Sequence, residues 1–95
     1  MDKHSIITKL KDIKPVLNEK YGVTEMALFG SYSRDEQTPD SDIDIMVDID
    51  RPHGFSFLNI VYELSALFDK EVQVVSKGGI KPKYFAAIKP DLIYV

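Results

Sequence analysis

The chain has 95 residues, with 44% apolar and 28% charged side chains and no cysteine. That balance fits a folded globular chain and excludes disordered, collagen-like and disulfide-stapled classes, Cys-based zinc sites and thiol catalysis. Twelve Lys and Arg against fifteen Asp and Glu leave a net charge of −3. A protein that holds nucleic acid by neutralising phosphates usually carries the opposite balance, so no direct nucleic-acid binding is expected.

No apolar run approaches the ~20 residues of a membrane span, and Met1-Asp2-Lys3-His4 opens no signal-peptide core. No membrane association is therefore expected, and the absence of cysteine makes a reducing cytoplasm the expected location. Without repeats, low-complexity tracts or a Ser/Gly linker, residues 1–95 read as one domain. Ile6, Ile7, Leu10, Ile13, Val16 and Leu17 form a helical stripe, which Pro15 is expected to bend or break near Lys14. Tyr21-Gly22 ends the helix, with Gly22 as its C-terminal cap. Val23 to Phe29 reads as a strand stopping at Gly30, Ser31 to Glu36 as a short helix, and Gln37 to Ser41 as a loop. Ser41 to Asp48 alternates polar and apolar residues, the clearest period-2 signal in the chain, and predicts a strand.

Arg51-Pro52-His53-Gly54 predicts a turn, and the spacing of Phe57, Leu58, Val61, Leu64, Leu67 and Phe68 a long helix closed by Asp69-Lys70. Glu71 to Val75 reads as a strand, Ser76 to Lys81 as a loop, Lys83 to Ile88 as a short helix and Leu92 to Val95 as an extended tail. The order is α-β-α-β-α-β-α. The expected fold is α/β (α+β): a small mixed sheet of three to four strands flanked by helices.

The chemistry concentrates in Phe29-Gly30-Ser31-Tyr32-Ser33-Arg34 and Ser41-Asp42-Ile43-Asp44. Residues i and i+2 of a strand project to one face, which sets Asp42 and Asp44 side by side, roughly 6.6–6.8 Å apart along the chain. Such a pair suits Mg²⁺, which takes one or two protein carboxylates and fills its shell with water and phosphate oxygens, and it can also serve two metals. Alternating Asp on a solvated strand edge is the other reading. Gly30 turns the strand and leaves free N–H groups for a phosphate, to which Ser31 adds a hydroxyl. Ser31 also reads as a helix N-cap.

Gly30-Ser31, ten intervening residues, then Asp42-x-Asp44 resembles the Gly-Ser-x10-Asp-x-Asp signature of the minimal nucleotidyltransferase (MNT) domain, within the DNA polymerase beta-like superfamily. Tyr21-Gly22-Val23, Phe29, Arg34 and Glu71-Val72-Gln73-Val74-Val75 extend the likeness over most of the chain. The resemblance implies Mg²⁺-dependent attack on the α-phosphate of a nucleoside triphosphate, ATP here, with release of pyrophosphate. Gly30, Ser31, Ser33 and Arg34 would then bind the nucleotide, and Asp42 and Asp44 would be the catalytic residues and the metal ligands, for up to two Mg²⁺. Domains of this size resemble MntA-type antitoxins, whose partner is a HEPN-type ribonuclease toxin silenced by transfer of AMP to a tyrosine.

One position departs from that pattern. The family's third carboxylate would fall at Gln73, and an amide can orient a water but cannot take a proton. General-base catalysis is worth ~10²–10⁴-fold, so the departure keeps a second reading open: an impaired fold that silences its toxin by binding alone. Glu71 shares the parity of Gln73 but lies a two-residue step away. Asp48 and Asp50 read as solvated, Lys77, Lys81, Lys83 and Lys89 as a diffuse basic tail, and Tyr32 as core. His4 and His53 have no neighbouring histidine and do not read as metal ligands.

Overall fold

A computed structural model describes residues 1–50 and 56–95. The turn predicted at Arg51-Pro52-His53-Gly54 lies outside the described residues. The first helix, α1 (Lys3–Tyr21), starts at Asp2, whose carboxylate accepts the Ser5 N–H at 2.9 Å. Satisfying one of the free N–H groups of the first turn in this way is the usual work of an N-cap. The helix ends as expected at Gly22, in the left-handed region at φ 76°, and the Gly22 N–H closes onto Asn18 O and Leu17 O. Asn18 Nδ2 then donates to Val23 O at 2.8 Å and ties the helix end to the strand that follows.

Pro15 does not break α1. It lies on the exposed side, as does Lys11, whose carbonyl loses the helical N–H, so water can take the place of the missing bond. Val16 is likewise outside the stripe: it is 43% exposed, whereas Ile6, Leu10 and Leu17 are fully buried.

Strand β1 (Val23–Phe29) matches its predicted bounds, and β2 (Ile43–Ile49) begins one residue after Asp42. Helix α2 (Ser56–Phe68) leads to β3 (Val72–Ser76), helix α3 (Pro82–Ile88) runs into a 3-10 turn (Lys89–Asp91), and the tail forms a short strand, β4 (Ile93–Tyr94). The sheet order is β3-β2-β1-β4, with β1 antiparallel to both neighbours and β2 parallel to β3. Only the parallel pair needs a long crossover, and α2 supplies it. The mixed four-stranded sheet agrees with the expected fold class.

The helix expected over Ser31–Glu36 is not formed; residues 31–35 are turns. The Gly30 carbonyl takes the N–H groups of Ser33 and Arg34 and the Ser33 hydroxyl, while Asp35 sits at φ 57°. A left-handed residue ends a right-handed turn before a second can propagate. Hence β1 and β2 are consecutive strands, and the element order is α-β-β-α-β-α-β.

Strand alternation sends Met26, Leu28, Ile43, Ile45, Val47 and Val72 into the main core with Ile6, Leu10 and Leu17 of α1 and Ile60 and Leu64 of α2. Ala27, Phe29 and Met46 form a smaller cluster with Ile88, against which Phe85 of α3 packs. Lys14 Nζ caps the arrangement by donating to Val95 O at 2.7 Å. At Gly22 an alanine would have to hold a left-handed conformation, so Gly22→Ala is expected to lower unfolding stability by about 1–2 kcal/mol, read from urea denaturation, with the sheet intact by circular dichroism.

Candidate functional site

The site begins where β1 stops. Antiparallel register places Phe29 opposite Asp44, and the chain turns at Gly30 with φ 78°. A Cβ at Gly30 would lie 2.9 Å from Asp44 Cγ, closer than such atoms approach, so both the backbone angle and the neighbouring carboxylate demand glycine. Ser33 is buried, and its hydroxyl donates to Gly30 O at 3.0 Å, which holds the turn.

Since no helix follows, Ser31 caps nothing. Its carbonyl accepts from Arg34 and Glu36, while its hydroxyl and the backbone N–H groups of Ser31 and Tyr32 have no acceptor among the described residues. These are donors clustered around a tight turn, an arrangement that suits an anion. Tyr32 itself is buried in the main core, as expected.

Asp44 shares the parity of Met46, so its side chain stands on the α3 side of the sheet. Burial raises its carboxyl above the usual range, the neighbouring Asp42 charge raises it further, and Arg34 opposes both. Asp42 lies just before β2, and Gln73 Nε2 donates to its Oδ2 across 3.4 Å. Gln73 is also the direct register partner of Asp44 in the parallel β2–β3 pair. Glu71 is exposed and contributes its backbone, accepting the Ile43 N–H at 3.2 Å. Among the described residues no group of three or more Asp, Glu or His could hold a metal. Two adjacent carboxylates remain a fitting donor set for Mg²⁺, which needs no more than one or two from the protein when phosphate oxygens and water complete its shell.

Arg34 is neither free nor merely solvated. Its Nε donates to Glu36 at 2.6 Å and its Nη1 to Asp91 at 2.5 Å, and these pairs hold its proton still more firmly, Glu36 foremost. Asp91 gave no sequence signal: it is brought to Arg34 only by the pairing of β4 with β1. Lys77 pairs with Glu25 at 3.2 Å, next to Ser76 at the other end of β3, and Lys81, Lys83 and Lys89 are exposed. Asp48 lies opposite Glu25, toward that same end. His4 is exposed, and His53 lies outside the described residues. A groove of about 450 Å³ beside β3, lined by Phe57, Val75, Ile80 and Tyr84 among others, includes none of the carboxylates.

The raised carboxyl of Asp44 carries a stability signature. The folded state binds that proton more tightly than the unfolded chain, whose carboxyl stays near 3.8. Its contribution is therefore full below that pH and is lost as pH rises through the folded value. In metal-free buffer Asp44→Asn is expected to melt higher than the parent at pH 7, with the gain vanishing as pH falls below the carboxylate range. A thermal melt series across pH checks this.

With the geometry in place, comparison with known proteins is informative. The family model described as the nucleotidyltransferase domain matches residues 10–94. A Methanocaldococcus jannaschii protein, provisionally named a protein adenylyltransferase, is 45% identical over 95 residues, covering 94% of this chain and 97% of that one. The structure of a provisionally assigned minimal nucleotidyltransferase superposes with a TM-score of 0.81 over 98% of this chain and 95% of that one, at 23% identity. A chain from the complex of a tri-AMPylated Shewanella oneidensis HEPN toxin with MNT antitoxin superposes at a TM-score of 0.61, with 22% identity, over 97% of this chain and 66% of that one. The match over nearly the whole sequence, carried by a relative of almost equal length, places this chain in the nucleotidyltransferase domain family.

Proposed function

We propose that the chain is a Mg²⁺-dependent protein adenylyltransferase that transfers AMP from ATP to a tyrosine of a HEPN-type toxin, and so acts as its antitoxin in the cytoplasm. The observation that carries the reading is the Gly30 turn set against Asp44, with unpartnered donors of Ser31 and Tyr32 beside a pair of carboxylates. Phosphate donors and metal-ligand carboxylates on one spot are what a nucleoside triphosphate requires. The names of the similar proteins, an adenylyltransferase and an AMPylated toxin with its antitoxin, support the acceptor class.

In this reading Ser31 and the N–H groups of Ser31 and Tyr32 bind phosphate oxygens, Gly30 keeps the approach open, and Ser33 holds the turn that aims them. Arg34 adds positive charge. Asp42 and Asp44 would hold Mg²⁺, which would neutralise charge that develops on the phosphates. The tyrosine oxygen forms the new bond to the α-phosphorus, the bond to the bridging oxygen breaks, and pyrophosphate leaves with that electron pair. The tyrosine proton must go to an acceptor. Water takes it, for Gln73, beside Asp44, is an amide and accepts no proton.

A second reading is favoured by one observation, Gln73 in register beside Asp44 where a third carboxylate would complete the acid cluster. In that reading the chain silences the toxin by forming a complex, without transfer.

Labelled ATP, Mg²⁺ and the partner toxin decide between them. Transfer of AMP to toxin tyrosine by the parent chain is expected, with loss of about two orders of magnitude or more in Asp42→Asn, and none would remain if both carboxylates were replaced. Toxin that stays unlabelled while bound tightly in a stable complex would establish the binding module instead. Gln73→Asp, which adds an acceptor-only charge at the third position, is expected to raise the transfer rate within the ~10²–10⁴ range of a general base, measured in the same labelling assay.

A further inference from the structure

Arg34 makes two ion pairs of very different kinds. Glu36 is two residues away on the same exposed loop, and its side chain is 64% exposed. Asp91 is 57 residues away and its side chain is 21% exposed. It ends the 3-10 turn whose Leu92 N–H bonds back to Lys89 O, and the next residues are pinned to β1 through Leu28–Ile93, Ala27–Tyr94 and the Val95 N–H on Met26 O. Leu28 in turn pairs with Ile45 and Phe29 with Asp44. Asp91 is thus fixed to the strand that stops just before Gly30, whereas Glu36 rides on the turn that follows it.

We propose that Asp91 is a positioning residue, which holds the Arg34 guanidinium from across the sheet so that its remaining N–H groups meet the triphosphate beside Asp42 and Asp44. The inference rests on the nucleotidyltransferase reading. Guanidinium carries five donors in a planar fork, so the bonds to Glu36 and Asp91 leave others for an anion. Arg34 belongs to the turn that Gly30 opens against Asp44, its backbone N–H closing onto Gly30 O at 3.3 Å and Ser31 O at 3.2 Å. A long side chain anchored in advance loses less freedom when the anion arrives, and the fixed acid at Asp91 provides that anchor. The competing expectation is equally physical: Asp91 is itself an anion and, if it does not position Arg34, its charge simply repels the triphosphate.

The two expectations predict opposite signs. Binding of ATP with Mg²⁺ to the full chain is measured by calorimetry for the parent, Asp91→Asn, Asp91→Glu, Arg34→Ala and the Arg34→Ala/Asp91→Asn double variant. Positioning predicts about two- to tenfold weaker binding in Asp91→Asn. It also predicts recovery in Asp91→Glu and no further loss when Asp91→Asn is added to Arg34→Ala. The Arg34 Nη protons, held by Asp91 in the parent, are expected to exchange faster with water in Asp91→Asn while the amide spectrum of the sheet is unchanged. Binding that is unchanged or tighter in Asp91→Asn, or equally weakened with and without Arg34, overturns the proposal and leaves the nucleotidyltransferase reading standing. A parent chain that binds no ATP overturns that reading, and this inference with it.

Discussion

The arrangement turns on the close approach of Gly30 to Asp44. Antiparallel register puts Phe29 opposite Asp44, and the next residue must bend away at a positive φ with its Cα almost against the carboxylate. Any side chain at Gly30 would displace either the strand or the acid. With glycine there, the turn donors of Ser31 and Tyr32 lie beside the carboxylates, the Ser33 hydroxyl locks the turn, and Arg34 emerges on the same side. A shift of one residue in the register would put Asp44 on the face that carries the main core, where an unpaired carboxylate has no stable place.

That register is secured from the opposite face. Met26, Leu28, Ile45 and Val47 alternate with the site-facing residues and are all fully buried against α1 and α2. The apolar face therefore fixes which residues reach the polar one. Among the described residues, α3 and the tail cover the site side of the sheet, through Ile88, Phe85 and Leu92, and Asp42 and Asp44 at the carboxylate end of β2 stay half-buried. The unequal cover of the two faces is what lets a chain of 95 residues have both a core and a partly exposed pair of carboxylates.

Charge is distributed by the same logic. The sequence is acidic overall, and two acids sit together at Asp42 and Asp44, where burial and mutual repulsion make ionisation of Asp44 harder. Arg34 is the cation that acts on Asp44, and it is shared with Glu36 and Asp91. Of the basic residues in the C-terminal third, Lys77 is matched to Glu25 at the far end of β3 and Lys70 donates to Pro39 O in the loop before Asp42. Two carboxylates with one shared cation leave this spot with an excess of negative charge.

Much of this was legible in the amino-acid order, because the signals are local. Period-2 alternation from Ser41 to Asp48, the glycine at position 22 and the ten-residue gap between Ser31 and Asp42 depend on neighbours in the chain; the first two located β2 and the helix cap, and the gap marked the two halves of the candidate site. Three features were decided only in three dimensions. The stretch after Gly30 looked helical by composition, but Gly30 O collects three donors and Asp35 adopts a left-handed angle, so the turn closes on itself. Pro15 looked like a break, but its position on the solvated side of α1 makes the lost bond tolerable. Asp91 looked like nothing at all, because its partner is 57 residues away and only the pairing of β4 with β1 brings them together. Local pattern sets which elements form and which faces they bury; contacts between distant residues depend on strand order, which no short stretch of sequence contains.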